Sequence, residues 1–415
     1  MKHAARLLVC TFLALLATAC MVPSQRKTAS STAANDSPII QAPQTQEKKE
    51  AEPPSQAPAT EQKPSLKTVR VLLAEKQTSS SIKHSGQVYV YTKNLDKKYK
   101  VSAAGTLAVR TLGGGKVQVG TLKAEQSIII EPTKNTLLTW NNNTYAGKFF
   151  IVPTKNSFLL VEHVDLENYL YGVLPYEMNY TWPLEALKAQ AVAARTYTLK
   201  TLENVKNKNF DLYSDVRSQM YKGGGKQYDS VRKAVDGTRG KVLTYNNALF
   251  YTYYHGNCGG GTDDVRSWNF GASSLKPLSG ASCSYDSHSK SFTWQMNVSA
   301  AKVMAYAKSV GLTGTLKSVQ VAEKTNTGRA TYLTIRSSKG SKKVSCPKFR
   351  LSTGIRSCKI TRVSTSGQQV HFEGKGYGHG IGMCQDGASG MAKKGKTYEQ
   401  ILKNYYPGAL ITPIK

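Results

Sequence analysis

The chain has 415 residues, 40% of them hydrophobic and 20% charged, with 34 Gly, 15 Pro and 23 Tyr. That balance excludes collagen-like, coiled-coil and wholly disordered classes, and it leaves room for more than one hydrophobic core. Fifty-six basic against 26 acidic residues give a net charge of +30, about +26 of it beyond residue 70. A negatively charged partner is therefore expected: nucleic acid, an anionic membrane face or a cell-wall polymer.

The N-terminus has the layout of an export signal. Lys2, His3 and Arg6 form a basic start, and Leu7 to Ala19 is apolar but shorter than the ~20 residues that span a bilayer. No other apolar run is long, so a multi-span membrane protein is excluded. The small residues before Cys20 resemble a bacterial lipoprotein box, with Ala17 where that box usually carries Leu. On this reading 1–20 is the signal and Cys20 the lipidated first mature residue. The alternative is an ordinary cleaved signal that contains a Cys. Residues 21–66 are rich in Pro, Ala, Ser, Thr, Gln and Glu, and cannot bury enough apolar area to offset their ordering entropy. They are expected to form a disordered spacer from a membrane surface to a layer some distance away.

Residues 67–164 read as β-rich. Period-2 segments recur at 69–73, 87–93, 106–112, 116–120, 127–132, 148–153 and 157–164. Gly113-Gly114-Gly115, Thr133-Lys134-Asn135 and Asn141-Asn142-Asn143 supply turns between them. From Leu166 the pattern changes. A short helix is predicted at 165–170, interrupted structure at Pro175, and a long helix from Pro183 to about Leu202. Pro183 suits a first turn and Glu185 the positive end of the dipole. Ala186, Ala189, Ala191, Ala193 and Ala194 favour the helix and keep it thin. Further helices are predicted near 298–310 and 397–404. The class is α+β.

The run Glu167–Tyr197, ENYLYGVLPYEMNYTWPLEALKAQAVAARTY, closely resembles the SpoIID/LytB family. Matching blocks follow in order: Ser218–Gly224 (SQMYKGG), Ala234–Gly240, Tyr254–Gly260 (YHGNCGG), Phe349–Ser357, and Gly376–Gln385 (GYGHGIGMCQ). The resemblance covers roughly residues 68–415. It implies a SpoIID-like catalytic core over 165–415, with a substrate groove. The activities it implies are those of lytic transglycosylases, which cut peptidoglycan glycan strands, or of amidase enhancers.

The resemblance makes Glu177, in Leu174-Pro175-Tyr176-Glu177-Met178, the catalytic acid. Its apolar neighbours would raise its pKa and keep it protonated near neutral pH. A hydrolase normally needs a second carboxylate, for which Asp165, Glu167 and Asp215 are candidates. A lytic transglycosylase needs one Glu, because the substrate's own C6 hydroxyl attacks C1 to form a 1,6-anhydro sugar. The resemblance also points Arg195 into the cleft with Lys188, Gln190 and Tyr197. There Arg195 would bind lactyl or N-acetyl oxygens, or shift the charge state of Glu177. Gln219 and Tyr221 offer an amide and an aromatic face to a sugar. His379 and Gln385 are the candidate side chains of the glycine-rich segment, which lacks the Lys-Ser/Thr ending of a phosphate loop.

Apart from Cys10 and Cys20, the cysteines are Cys258, Cys283, Cys346, Cys358 and Cys384. In an oxidising envelope, disulfides Cys346–Cys358 and Cys258–Cys283 are expected, with Cys384 free. A structural zinc held by His255, Cys258, Cys283 and His288 competes with the second bridge. Relatives with a Cys-x-x-Cys at Cys283 have Cys where this chain has Asp286. No cofactor is required for catalysis. The expected partners are peptidoglycan strands, the membrane through the lipid anchor, and an amidase if the chain is an enhancer. No recognised nucleic-acid-binding motif is present. The expected place is the cell envelope, facing the periplasm or the cell exterior.

Overall fold

The computed structural model describes residues 67–415, except 206, 208, 226, 227, 269–274 and 415. The expected signal, Cys20 and spacer lie outside the described residues. Among those described, no helix is long and apolar enough to cross a membrane.

The N-terminal part is strand-rich and the chain as a whole is α+β. A seven-stranded sheet runs in the order Leu212–Tyr213, Thr68–Gln77, Phe158–Asp165, Lys148–Pro153, Ile128–Pro132, Val88–Thr92, Lys98–Val101. It is antiparallel except where Leu212–Tyr213 lies parallel to Thr68–Gln77. A six-stranded sheet contains Asn143–Tyr145, Leu138–Trp140, Ser79–His84, Gly105–Gly113, Lys116–Val119 and Leu122–Ala124. Alternate residues of both sheets are buried in one core, including Val88, Val90, Phe149 and Ile151 of the first and Ile82, Val109, Val117 and Val119 of the second. This is the period-2 rule for strands with one wet face. Ser79–His84 and Lys98–Val101 escaped the sequence reading because few of their side chains are apolar. Their place is set by pairing with Gly105–Gly113 and Val88–Thr92.

The strand Phe158–Asp165 leads directly into helix α1, Leu166–Glu177. Asp165 caps it, its Oδ1 accepting from the Glu167 and Asn168 backbone N–H groups at 3.1 and 3.0 Å. The helix is longer than predicted and passes through Pro175. Pro175 lacks the N–H that would bond the Tyr171 carbonyl, so it costs the helix one bond, and the helix ends two residues later at Glu177. Helix α2, Leu184–Leu202, follows; Pro183 is its N-cap rather than its first residue. Its five alanines are fully buried, so α2 is the axis of the helical part. The thin surface lets neighbours reach its backbone: the Thr252 hydroxyl donates to Ala193 O at 2.7 Å.

Helices α3 (Asp229–Asp236), α4 (Ala300–Ser309), α5 (Cys346–Thr353), α6 (Gln385–Lys393) and α7 (Tyr398–Tyr405) complete the set among the described residues. α2 packs against α1, α3, α6 and α7. Two small sheets flank α4 and α5: Thr293–Ser299, Gln369–Lys375 and Ile360–Ser366, and Leu316–Lys324, Ala330–Ser337 and Gly340–Ser345. A disulfide joins Cys346 to Cys358 across α5, with the Cα atoms 6.1 Å apart.

Candidate functional site

Glu177 is the last residue of α1. The residue is only half-buried, but its carboxyl is set deep in protein, and that burial pushes its pKa up to about 7. The negative end of the α1 dipole acts in the same direction. One hydrogen bond opposes the shift: the Met220 N–H donates to Glu177 Oε1 at 2.8 Å. The hydroxyls of Tyr169, Tyr197 and Tyr254 lie near enough that burial and the Glu177 charge both raise their pKa values. Among the described residues, no other carboxylate contributes to the shift at Glu177.

The Met220 donor is held by its neighbours. Gln219 is buried; its Oε1 accepts from Tyr169 Oη at 3.2 Å and Thr198 Oγ1 at 2.8 Å, and its Nε2 donates to Tyr254 Oη at 2.9 Å. Tyr221 is buried on the other side and donates to Glu162 Oε2 at 2.6 Å. The alternation of Gln219 and Tyr221 thus aims the intervening N–H at Glu177. Gly172 makes the close approach possible, since a Cβ there would sit 2.5 Å from Tyr221 Cε2. Neither Gln219 nor Tyr221 offers its side chain to a sugar. Both are positioning residues.

Arg195 does not enter a cleft. It is 0% exposed, and its Nε and Nη2 donate to the two oxygens of Glu167 at 2.9 and 2.7 Å. Its remaining donors go to Lys241 O at 3.0 Å and Val235 O at 3.3 Å. In this helix of small residues the guanidinium is the cross-brace that ties α2 to α1 and α3. The pairing also removes Glu167 from the candidate second carboxylates. Asp165 is spent as the α1 cap, and Asp215 pairs at 2.7 Å with Arg217. Lys188 pairs with Glu185 at 2.7 Å and lies 5.8 Å from the Tyr398 ring. Gln190 is buried, its Oε1 accepting from Gln385 Nε2 at 3.4 Å.

Tyr197 does approach Glu177, and it continues into an aromatic series. Its ring is 5.6 Å from Tyr251 and 6.2 Å from Tyr253, and Tyr253 meets His379 at 6.2 Å. Burial and the nearby Arg350 and Arg329 push the His379 pKa down to about 3, so the ring is neutral at physiological pH. On the other flank Tyr176 and Tyr180 are exposed, with Tyr180 stacked at 3.9 Å on Tyr228. Lys222 Nζ stands 5.0 Å from the Tyr176 ring. The alternating run Tyr251, Tyr253 was the sequence signal for the first group. The Met220 N–H carries no residue-type signal at all.

Glu162 is a second carboxyl that burial pushes up to about 7, against bonds from Tyr221 and the Gly147 N–H. It is 0% exposed, so no substrate touches it. An open cleft of about 850 Å³ is lined by the 260–267 and 279–282 loops, Thr325–Thr327 and Lys359, and by none of the groups around Glu177. Of its acids, Asp264 has its pKa held down by Arg266, which suits a solvated surface rather than a general acid.

The profile of the SpoIID family, described as stage II sporulation protein, matches residues 154–245. That span includes α1, α2 and the Met220 loop. Stage II sporulation protein D of Bacillus amyloliquefaciens is 30% identical over 275 residues, covering 61% of this chain and 75% of that protein. The chain belongs to the SpoIID family. An uncharacterized protein of Brachyspira hyodysenteriae is 32% identical to this SpoIID-family chain over 350 residues, covering 82% of the chain and 91% of that protein. The amidase enhancer of Bacillus subtilis is 32% identical over 293 residues, covering 59% of this chain and 40% of the enhancer.

For two of the SpoIID chain's remaining cysteines, Cys258 and Cys283, the expected bridge is absent. Cys258 and Cys283 are not bonded to each other; both are buried and free, as is Cys384. The three thiols converge with Asp286. His255 and His288 stand outside that group: each places its Nδ1 on a carbonyl, Ile381 O at 3.1 Å and Tyr285 O at 2.9 Å. The spacing of His255 with Cys258 and of Cys283 with His288 suggested a Cys2His2 set, but the backbone turns the histidines elsewhere.

Proposed function

We propose that this protein is an exported peptidoglycan lytic transglycosylase, tethered to the membrane of the cell envelope through a lipidated Cys20, with Glu177 as its single acid and base. The observation that carries the reading is the state of Glu177. Its carboxyl is deep in protein, raised to about 7, hydrogen-bonded through Met220 N–H, and unaccompanied among the described residues by a second interacting carboxylate.

The protonated carboxyl gives its hydrogen to the glycosidic oxygen as the C1–O bond breaks. Positive charge then develops at C1 and the ring oxygen. The resulting Glu177 carboxylate takes the proton of the C6 hydroxyl as that oxygen bonds to C1. The products are a 1,6-anhydro end and a free hydroxyl on the leaving sugar, and Glu177 is protonated again. A pKa near 7 suits a group that must act in both directions. The Met220 N–H holds the carboxyl in place and stabilises its ionised form. Tyr176, Tyr180 and the Tyr197–Tyr251–Tyr253 series offer aromatic faces for sugar rings, and Lys222 offers a cation for lactyl or peptide carboxylates.

Purified protein incubated with peptidoglycan is expected to release fragments ending in anhydro sugars. Mass spectrometry showing only reducing-end products indicates a hydrolase instead. A second reading, a non-catalytic wall-binding partner of an amidase, is favoured by the similarity to the amidase enhancer; it predicts binding to wall material with no fragment release. Cys20→Ser is expected to move the protein from the membrane to the soluble envelope fraction, and an unchanged distribution counts against the anchor.

A further inference from the structure

Three thiols and one carboxylate from three separate segments meet inside the helical part. One ligand atom from each of Cys258, Cys283, Asp286 and Cys384 lies within 4.8 Å of every other, and all four residues are buried. Four bonds of zinc–thiolate length, about 2.3 Å, place tetrahedral sulfurs about 3.8 Å apart, so the group needs to close by no more than about 1 Å around an ion.

The surroundings treat the Cys384 sulfur and the Asp286 carboxylate as electron-rich. Cys384 Sγ accepts from the N–H groups of Cys258 at 3.2 Å and Gly387 at 3.3 Å. Asp286 Oδ2 accepts from the N–H groups of Gly259 at 2.8 Å and Gly260 at 3.2 Å. Its Oδ1 has no hydrogen-bond partner although the residue is 1% exposed. A buried carboxylate oxygen left so is costly unless something positive sits against it. Gly387 belongs to the same design: a Cβ there would lie 2.6 Å from Cys283 Sγ, so α6 starts directly against the cluster.

We propose that Cys258, Cys283, Cys384 and Asp286 bind one zinc ion. Three soft thiolates with one oxygen select zinc over calcium or magnesium, which prefer all-oxygen sites. Four protein ligands close the coordination shell, so the ion is structural. It clips the parallel pair Tyr254–His255 and Met383–Cys384 to the loop that carries Cys283. Tyr254 is the partner of Gln219 and a neighbour of Glu177, so the clip holds one wall of the site described above. An exported chain with three adjacent thiols also needs protection from oxidation, and metal binding supplies it.

The assignment is tested on the full-length protein by metal analysis, independently of any glycan cleavage. One zinc per chain is expected, with the three thiols protected from alkylation until a chelator and denaturant are added. Cobalt in place of zinc should show visible bands of tetrahedral geometry and near-ultraviolet sulfur-to-metal bands. Asp286→Cys should keep the ion and raise the sulfur-to-cobalt intensity by about one third, as three thiolates become four. Cys384→Ser should lose the bound zinc, and His288→Ala should retain it. A metal-free protein whose mass is about 2 Da low, from a disulfide among these three cysteines, overturns the proposal. So does zinc that survives Cys384→Ser or is lost in His288→Ala.

Discussion

Glu177→Gln is expected to lower release of anhydro-ended fragments by about 10²–10⁴-fold while glycan binding persists, the loss that follows from removing a general acid and base. The amide keeps an oxygen for the Met220 N–H, so the loop is not disturbed. Retained turnover in a purified variant, measured by fragment release, rules out the proposed role. In the wild type, turnover should fall as pH rises above about 7, because the acid form of Glu177 is then lost.

The same substitution has a signed effect on stability. The Glu177 carboxyl titrates at about 7 in the folded protein against an ordinary 4.5, so the native state holds its proton longer than the unfolded chain. Its contribution is complete below the unfolded value and is lost as pH rises through the folded one. At pH 8 the wild type therefore carries an unfavourable buried charge that Glu177→Gln lacks. The variant should be more stable there by about 1–3 kcal/mol, and equal to wild type at pH 4. Chemical denaturation at the two pH values reads the difference. Glu162, raised to about 7 by its own burial, adds a similar loss over the same window in both proteins and cancels in the comparison.

Arg195→Ala is expected to be among the most damaging single changes, at about 3–5 kcal/mol, because it strands a buried Glu167 carboxylate and two backbone carbonyls. Replacing both partners, Arg195→Met with Glu167→Leu, should recover much of that stability, since no unpaired charge then remains. Thermal unfolding followed by circular dichroism separates the cases. If Arg195→Ala unfolds like wild type but binds glycan poorly, the side chain belongs to the groove and not to the brace.

These two residues show where reading the chain residue by residue succeeds and where it stops. Glu177 and Arg195 stand in one contiguous run, and both looked like site residues. Exposure and partners separate them. The partner of Arg195 is in the preceding helix and its other acceptors lie in α3 and at the start of the strand after it, so nothing local distinguishes a cleft arginine from a buried brace.

Local elements follow from the pattern of neighbouring residues. The seven period-2 segments became strands because alternating apolar residues can bury one face of a sheet. The alanine-rich stretch became α2 because propensity and its proline boundary agree. The family resemblance was legible because its blocks occur in order. The other features arise from long-range packing. Short polar strands such as Ser79–His84 exist through their pairing. The helix predicted at 165–170 ran on through Pro175 to Glu177, because burial of its apolar face outweighs the one backbone bond a proline forfeits. Cys258, Cys283, Asp286 and Cys384 met each other rather than the histidines suggested by spacing. Each outcome depends on contacts between distant chain segments, and burial, charge pairing and coordination are properties of those contacts rather than of any one window of residues.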